Sequence, residues 1–217
     1  MAYDLEEQEQ LAAMQAFWNK YGNMLMVVLI IAAGSYAGYT WMKRAERVDA
    51  AEASALYTQI QTAATAKDNA KVQRIAGDVR TKYAKSAYAA MTSLTAAKSA
   101  FEANDLKTAK AHLQWVADNG NDEYKSIAKL RLAGVLLDEK AYDDGLKLLA
   151  TPFLPQFAGA VADRKGDILV AQNKIADARA AYLAALAAMD DKHPGRALVQ
   201  IKLEAIGGTV PETKAAA

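Results

Sequence analysis

The residues that could carry chemistry in this chain are few. There are two histidines, His112 and His193, and no cysteine. A general base needs a partner that orients it and a substrate within reach. His112 stands in Ala-Lys-Ala-His-Leu-Gln-Trp with no evident partner, and His193 precedes Pro194 in a turn and belongs to a helix start; neither reads as one of a metal-ligand set. Asp143-Asp144 and Asp190-Asp191 are paired carboxylates. At helix termini, capping and dipole complementarity account for such pairs. No glycine-rich run precedes a basic residue and Ser/Thr, so there is no phosphate loop. Without cysteine there is no thiolate zinc site, disulfide framework or cysteine nucleophile. These readings predict no enzyme, no cofactor and no metal. With 26 Lys+Arg against 25 Asp+Glu, the charge balance also argues against a nucleic-acid partner.

The chain is 217 residues long, rich in alanine, with four prolines. That composition predicts an all-α protein. Between Lys20 and Lys43 no residue is charged. As a helix, the stretch 21–42 is about 33 Å long, enough to cross a hydrocarbon core of about 30 Å. Phe17, Trp18 and Tyr21 bracket it on one side, and Tyr36, Tyr39 and Trp41 on the other, as an interfacial belt requires. The acidic n-region (Asp4, Glu6, Glu7, Glu9) is wrong for a cleaved secretory signal, so a permanent anchor is expected. Gly34 and Gly38 form a small-xxx-small pair, a candidate face for packing on another membrane helix. Lys20 flanks the span on one side and Lys43, Arg44 and Arg47 on the other. The positive-inside rule alone would place the large C-terminal part in the cytoplasm.

From Val48 onward, apolar residues recur at three- and four-residue spacing and strand patterns are missing. Breaks are expected at 67–69, 104–105, 118–122, 151–152, 173–174 and 193–195, where Asn, Asp, Gly and Pro collect. Three stretches align: Ala97 with Ala109, Leu113 and Val116; Ala133 with Gly145, Leu149 and Pro152; Gly166 with Ala178, Tyr182 and Ala185. Each keeps offsets of 12, 16 and 19, and the first members lie 36 and then 33 apart. A period near 34 with small residues in both helices marks tetratricopeptide-like hairpins. One hairpin cannot bury its apolar face alone, so the units must stack. A less regular helix pair over about 48–84 and a last helix over about 194–206 complete the array. The expected organisation is an acidic, amphipathic segment (1–20), a transmembrane helix (21–42), a repeat solenoid (43–206) and a disordered tail (207–217).

Such an array uses the surface lined by the first helix of each unit. In this alignment that surface carries Met91, Leu94, Lys98 and Phe101, then Ile127, Leu130, Leu137 and Asp138, then Asp163, Asp167 and Val170. It reads as apolar and then acidic, suited to an extended or helical peptide segment. The competing use of its apolar members is packing against neighbouring helices.

The chain resembles the YfgM-type inner-membrane proteins with tetratricopeptide-like domains. The acidic head from Tyr3 to Leu11 running into Phe17-Trp18-Asn19-Lys20-Tyr21-Gly22-Asn23 carries the resemblance, with the single span followed by Ala53-Ser54-Ala55-Leu56-Tyr57. So does Val161-Ala162-Asp163-Arg164-Lys165-Gly166-Asp167-Ile168-Leu169, which is similar to the family's Val-Ala-Asp-x-x-Gly-Asp/Glu-x-Leu stretch. The resemblance implies a bacterial inner-membrane protein with a cytoplasmic N-terminus and a periplasmic repeat domain, against the charge rule. It implies association with Sec translocon membrane subunits and with the periplasmic chaperone PpiD. It also implies a part in passing translocated client proteins to periplasmic folding factors. The alternative drawn from charge is a cytoplasm-facing scaffold for another membrane complex.

Overall fold

The structure, a computed structural model, describes residues 2–210, with side chains from Glu9 onward. The acidic side chains Asp4, Glu6 and Glu7 and the tail residues 211–217 therefore lie outside the described residues. Among those described there are helices and no strand. The chain divides into two compact units, 1–51 and 52–217.

The first unit is the N-terminal part of helix α1 (Ala2–Thr65). Among the described residues, α1 is the one helix long and apolar enough to cross a membrane. Its large apolar side chains point outward: Met24 is 66% exposed, Leu29 62%, Ile30 66% and Ile31 62%. That much apolar surface costs free energy in water and none in hydrocarbon. At the leading end, the Phe17 and Tyr21 rings lie 5.1 Å apart and the Lys20 ammonium sits 5.2 Å from the Tyr21 ring centre. At the trailing end, Lys43 lies 5.9 Å from the Tyr39 ring centre and pairs with Glu46 at 2.9 Å.

The second unit begins with the last turns of α1 and continues through α2 (Asn69–Lys82), α3 (Ala87–Glu102), α4 (Leu106–Asn119), α5 (Asp122–Asp138), α6 (Tyr142–Leu149), α7 (Ala158–Ala171), α8 (Ile175–Ala188) and α9 (Arg196–Ala205). A single turn of 3₁₀ helix, Pro155–Phe157, precedes α7. Helices pair in order as hairpins. The end of α1 is the first helix of the first hairpin, and α3, α5 and α7 open the next three.

One turn is used four times. Lys67, Asn104, Lys140 and Asn173 take left-handed φ values of 56°, 60°, 60° and 60°. After each, an N–H reaches back to a carbonyl at 2.8–2.9 Å: Asp68 to Ala63, Asp105 to Ala100, Ala141 to Leu136 and Lys174 to Leu169. This satisfies a carbonyl that the helix end leaves open. Asp68 and Asp105 then cap the second helix, each accepting an N–H three residues on at 3.0 Å. Gly207, at φ 72°, repeats the turn after α9, with the Gly208 N–H on the Leu203 carbonyl at 2.9 Å. By its ending, α9 is thus the first helix of a fifth unit.

The aligned positions form the core. Ala97, Ala109, Leu113 and Val116 are buried, as are Ala133, Gly145 and Leu149, and Gly166, Ala178, Tyr182 and Ala185. The Tyr182 ring occupies the space a Cβ on Gly166 would need, and a Cβ on Gly145 would come within 2.9 Å of Ile168 Cδ1. Pro152 is the exception. It is exposed because α6 has already ended at Leu149. The first hairpin holds Ile60, Val72, Ala76 and Val79 at the same register, each 0% exposed. Large and small are exchanged there: Ile60 stands where the others have Ala or Gly, and Ala76 where they have Leu or Tyr. Interior packing constrains summed volume more than the identity of each position.

Candidate peptide-binding groove

The repeated turn gives a register for the first helices. Met91 and Ile127 stand 13 residues before it; Leu94, Leu130 and Asp163 stand 10 before, Lys98 and Asp167 six, and Phe101, Leu137 and Val170 three. Residues at these spacings share one face of a helix.

Six of the eleven sequence-selected residues meet at two adjacent cavities of about 460 Å³ each. Met91, Leu94 and Ile127 line the first, beside Tyr57 and Gln61 from the end of α1 and Tyr124 from α5. Phe101 and Asp138 line the second, over a floor of Ala97, Leu113 and Val135. Lys98 lines both. Their volume falls in the range of real ligand sites. Leu94 is only 7% exposed and packs with Ala90, Ala97 and Leu113, so it belongs to the core as well as the wall. Phe101 is 43% exposed.

The other five serve the interior or pair internally. Leu130 and Leu137 pack on Ala133, Leu149 and Ile168. Val170 packs against the Tyr182 and Ala178 clusters. Asp163 and Asp167 both receive Lys202 of α9, at 2.8 Å each, and the Tyr182 hydroxyl donates to Asp167 at 2.9 Å. Burial pushes the Asp163 carboxyl above its ordinary range, and Lys202 pulls it back. Burial and the Asp167 charge together push the Tyr182 hydroxyl up. The acidic end expected of the groove is therefore neutralised, and the network ties α7 to α8 and α9.

Two arginines were not among the selected residues. Arg131 lines both cavities and Arg164 the second. Each stands nine residues before its turn, so the period that placed the others also places these.

The histidines sit apart from the groove. His112 is 7% exposed, with Nε2 at 2.6 Å from Gln73 Oε1 and Nδ1 buried without a partner among the described residues. Burial, and next the nearby Arg80 charge, lower its pKa to about 4, so it is neutral at physiological pH. His193 is exposed; its Nδ1 accepts the Gly195 N–H at 3.1 Å and shapes the turn into α9. Asp143 accepts from Gln172 at 3.1 Å, Asp144 pairs loosely with Lys147 at 3.7 Å, and Asp191 meets Arg196 at 3.5 Å. Among the described residues there is no group of three or more His, Asp or Glu that could hold a metal ion.

The family model for a tetratricopeptide repeat-like domain matches residues 15–208, span and repeats together. The chain is 35% identical over 208 residues to a protein of Neisseria gonorrhoeae named ancillary SecYEG translocon subunit, covering 95% of this chain and 100% of that one. It is 32% identical to the Escherichia coli protein of the same name, over 81% of this chain and 85% of that one. The Haemophilus influenzae protein of that name is 30% identical, over 79% and 84%. No solved structure matches the chain.

Proposed function

The chain belongs to the YfgM-type family of ancillary SecYEG translocon subunits with a tetratricopeptide repeat-like domain, and from that premise we propose that it is a non-enzymatic, single-span adaptor at the Sec translocon of the bacterial inner membrane. The end-to-end similarity to the Neisseria gonorrhoeae subunit carries this reading, because it spans anchor and repeats alike. In this reading α1 holds the protein beside the translocon membrane subunits, through lipid and through the Gly34–Gly38 face. The repeats stand in the periplasm. Their groove, with Met91, Lys98, Phe101, Ile127 and Asp138 on its walls, receives a PpiD-like chaperone or a translocated client. Anchoring supplies the energetic advantage. A groove confined at the membrane meets a tethered partner at an effective concentration on the order of millimolar, so weak contacts suffice.

A photo-crosslinking amino acid at Phe101 of the full chain, in living cells, tests this. The expected adduct contains a periplasmic folding factor, and the same amino acid at Val28 gives adducts with translocon membrane subunits. Adducts from Phe101 with cytoplasmic proteins alone would overturn the reading.

One observation favours a second reading. Lys43, Arg44 and Arg47 outnumber Lys20 across the span. By the charge rule the repeats would then face the cytoplasm and scaffold another membrane complex.

A further inference from the structure

The second cavity has a charge pattern that an apolar ligand does not explain. Its walls carry Lys98, Arg131 and Arg164 against the single carboxylate of Asp138. Lys98 reaches Glu102 only at 3.7 Å, with both side chains largely exposed, so that pair holds it weakly. Arg164 approaches Asp167 at 3.4 Å, but Asp167 is already engaged by Lys202 at 2.8 Å and by the Tyr182 hydroxyl at 2.9 Å. Arg131 is exposed and has no ion pair or side-chain hydrogen bond among the described residues. Gly134 lines the same cavity. The Arg164 guanidinium lies 3.6–3.8 Å from where a Cβ on Gly134 would stand. Beside these cations lies an apolar surface of Ala97, Leu113 and Val135, with the half-exposed ring of Phe101.

We propose that this cavity binds an acidic, apolar segment of a partner polypeptide, one apolar side chain seated against Phe101 and Leu113 and flanking Asp or Glu carboxylates held by Arg131 and Arg164. The proposal rests on the adaptor reading and adds the chemistry of what the groove recognises. A purely apolar segment would cover the guanidinium groups without pairing them, which is costly. A basic segment would be repelled. Guanidinium forks match carboxylates with two parallel hydrogen bonds, giving orientation as well as affinity.

The test uses the full chain in nanodiscs and a fluorescein-labelled short peptide in which Glu alternates with Leu and Phe. Two control peptides carry Gln or Lys in place of Glu. The acidic peptide is expected to bind about tenfold or more tighter than the Gln peptide and to weaken as salt is raised. Arg131→Glu is expected to lose about tenfold for the acidic peptide and to gain binding of the Lys peptide, an exchange that a merely structural arginine would not produce. Arg131→Lys keeps most of the affinity, and both variants keep the wild-type circular dichroism. Equal binding of the acidic and Gln peptides, no binding of the acidic peptide, or indifference of both to Arg131→Glu overturns the proposal. A chain that self-associates in the nanodisc assay and is dispersed by Arg131→Glu overturns it too, because the occupant would then be a second copy. These results bear on the groove's chemistry and the Phe101 crosslinks on the adaptor reading, so either can fail alone.

Discussion

Gly34 and Gly38 in the span do the opposite of Gly145 and Gly166 in the repeats. A Cβ on Gly34 or Gly38 would meet nothing within 4 Å. A Cβ on Gly145 would press on Ile168, and one on Gly166 would overlap the Tyr182 ring. The large apolar residues follow suit: Ile30 is 66% exposed on the span, whereas Ile60 and Ile168 are 0% exposed in the repeats. At Gly145 and Gly166, a small residue records a contact that the chain has made with itself. At Gly34 and Gly38, it leaves a surface whose contacts must come from lipid or another protein. The same substitution therefore measures folding in one unit and association in the other.

Gly166→Val should show the largest effect. It forces Tyr182 out of its site and disturbs its hydrogen bond to Asp167, at a cost of about 3 kcal/mol by the usual penalty for overpacking. Thermal unfolding followed by circular dichroism reads this, and Tyr182→Leu in the same chain should recover part of it because the two sites share one space.

A smaller effect comes from pH. Burial holds His112 at about 4 in the fold against 6.5 for the free side chain. Above 6.5 both states are neutral at this residue. As pH falls from 6.5 to 4 the unfolded chain takes up the proton and the fold does not, so stability drops through that window. The loss is about 2 kcal/mol once solvent screening is allowed for. Denaturant unfolding at several pH values checks it, and His112→Gln should flatten the slope across the window.

Gly34→Val and Gly38→Val should show the smallest effect on folding. Unfolding of the repeats should shift by less than about 0.5 kcal/mol, while association of the span with another membrane helix weakens by about 1 kcal/mol. A membrane two-hybrid assay with translocon subunits reads the second quantity. A shift in repeat stability as large as that of Gly166→Val would dissolve the contrast.

Much of this was legible in the sequence for identifiable reasons. The span stood out because its signal is an absence of charge, which needs no partner to be seen. The repeats showed where Ala97, Ala133 and Gly166 preserve a size pattern. The first hairpin hid because Ile60 and Ala76 exchange sizes, keeping the volume and losing the pattern. Two turns were not among the named breaks, although the first helix pair was expected to end near 84. Glu139-Lys140-Ala141 contains only good helix formers, and Lys140 reveals itself by standing 36 residues after Asn104 with the same φ of 60°. At the other, Ser86 caps α3, its Oγ accepting the Tyr88 N–H at 3.3 Å. In the groove, Arg131 and Arg164 were not among the selected residues, and the second cavity brings them together. Asp163 and Asp167 looked free because Lys202, which neutralises them, lies 39 and 35 residues away.

The account stands on the repeats facing the periplasm. Thr209 is exposed and the chain has no cysteine, so Thr209→Cys offers one thiol beyond the last helix. Intact spheroplasts would be treated with a membrane-impermeant maleimide, before and after lysis. Labelling of intact spheroplasts to the same extent as lysed ones is the predicted result. Labelling only after lysis would place the repeats in the cytoplasm and contradict the account.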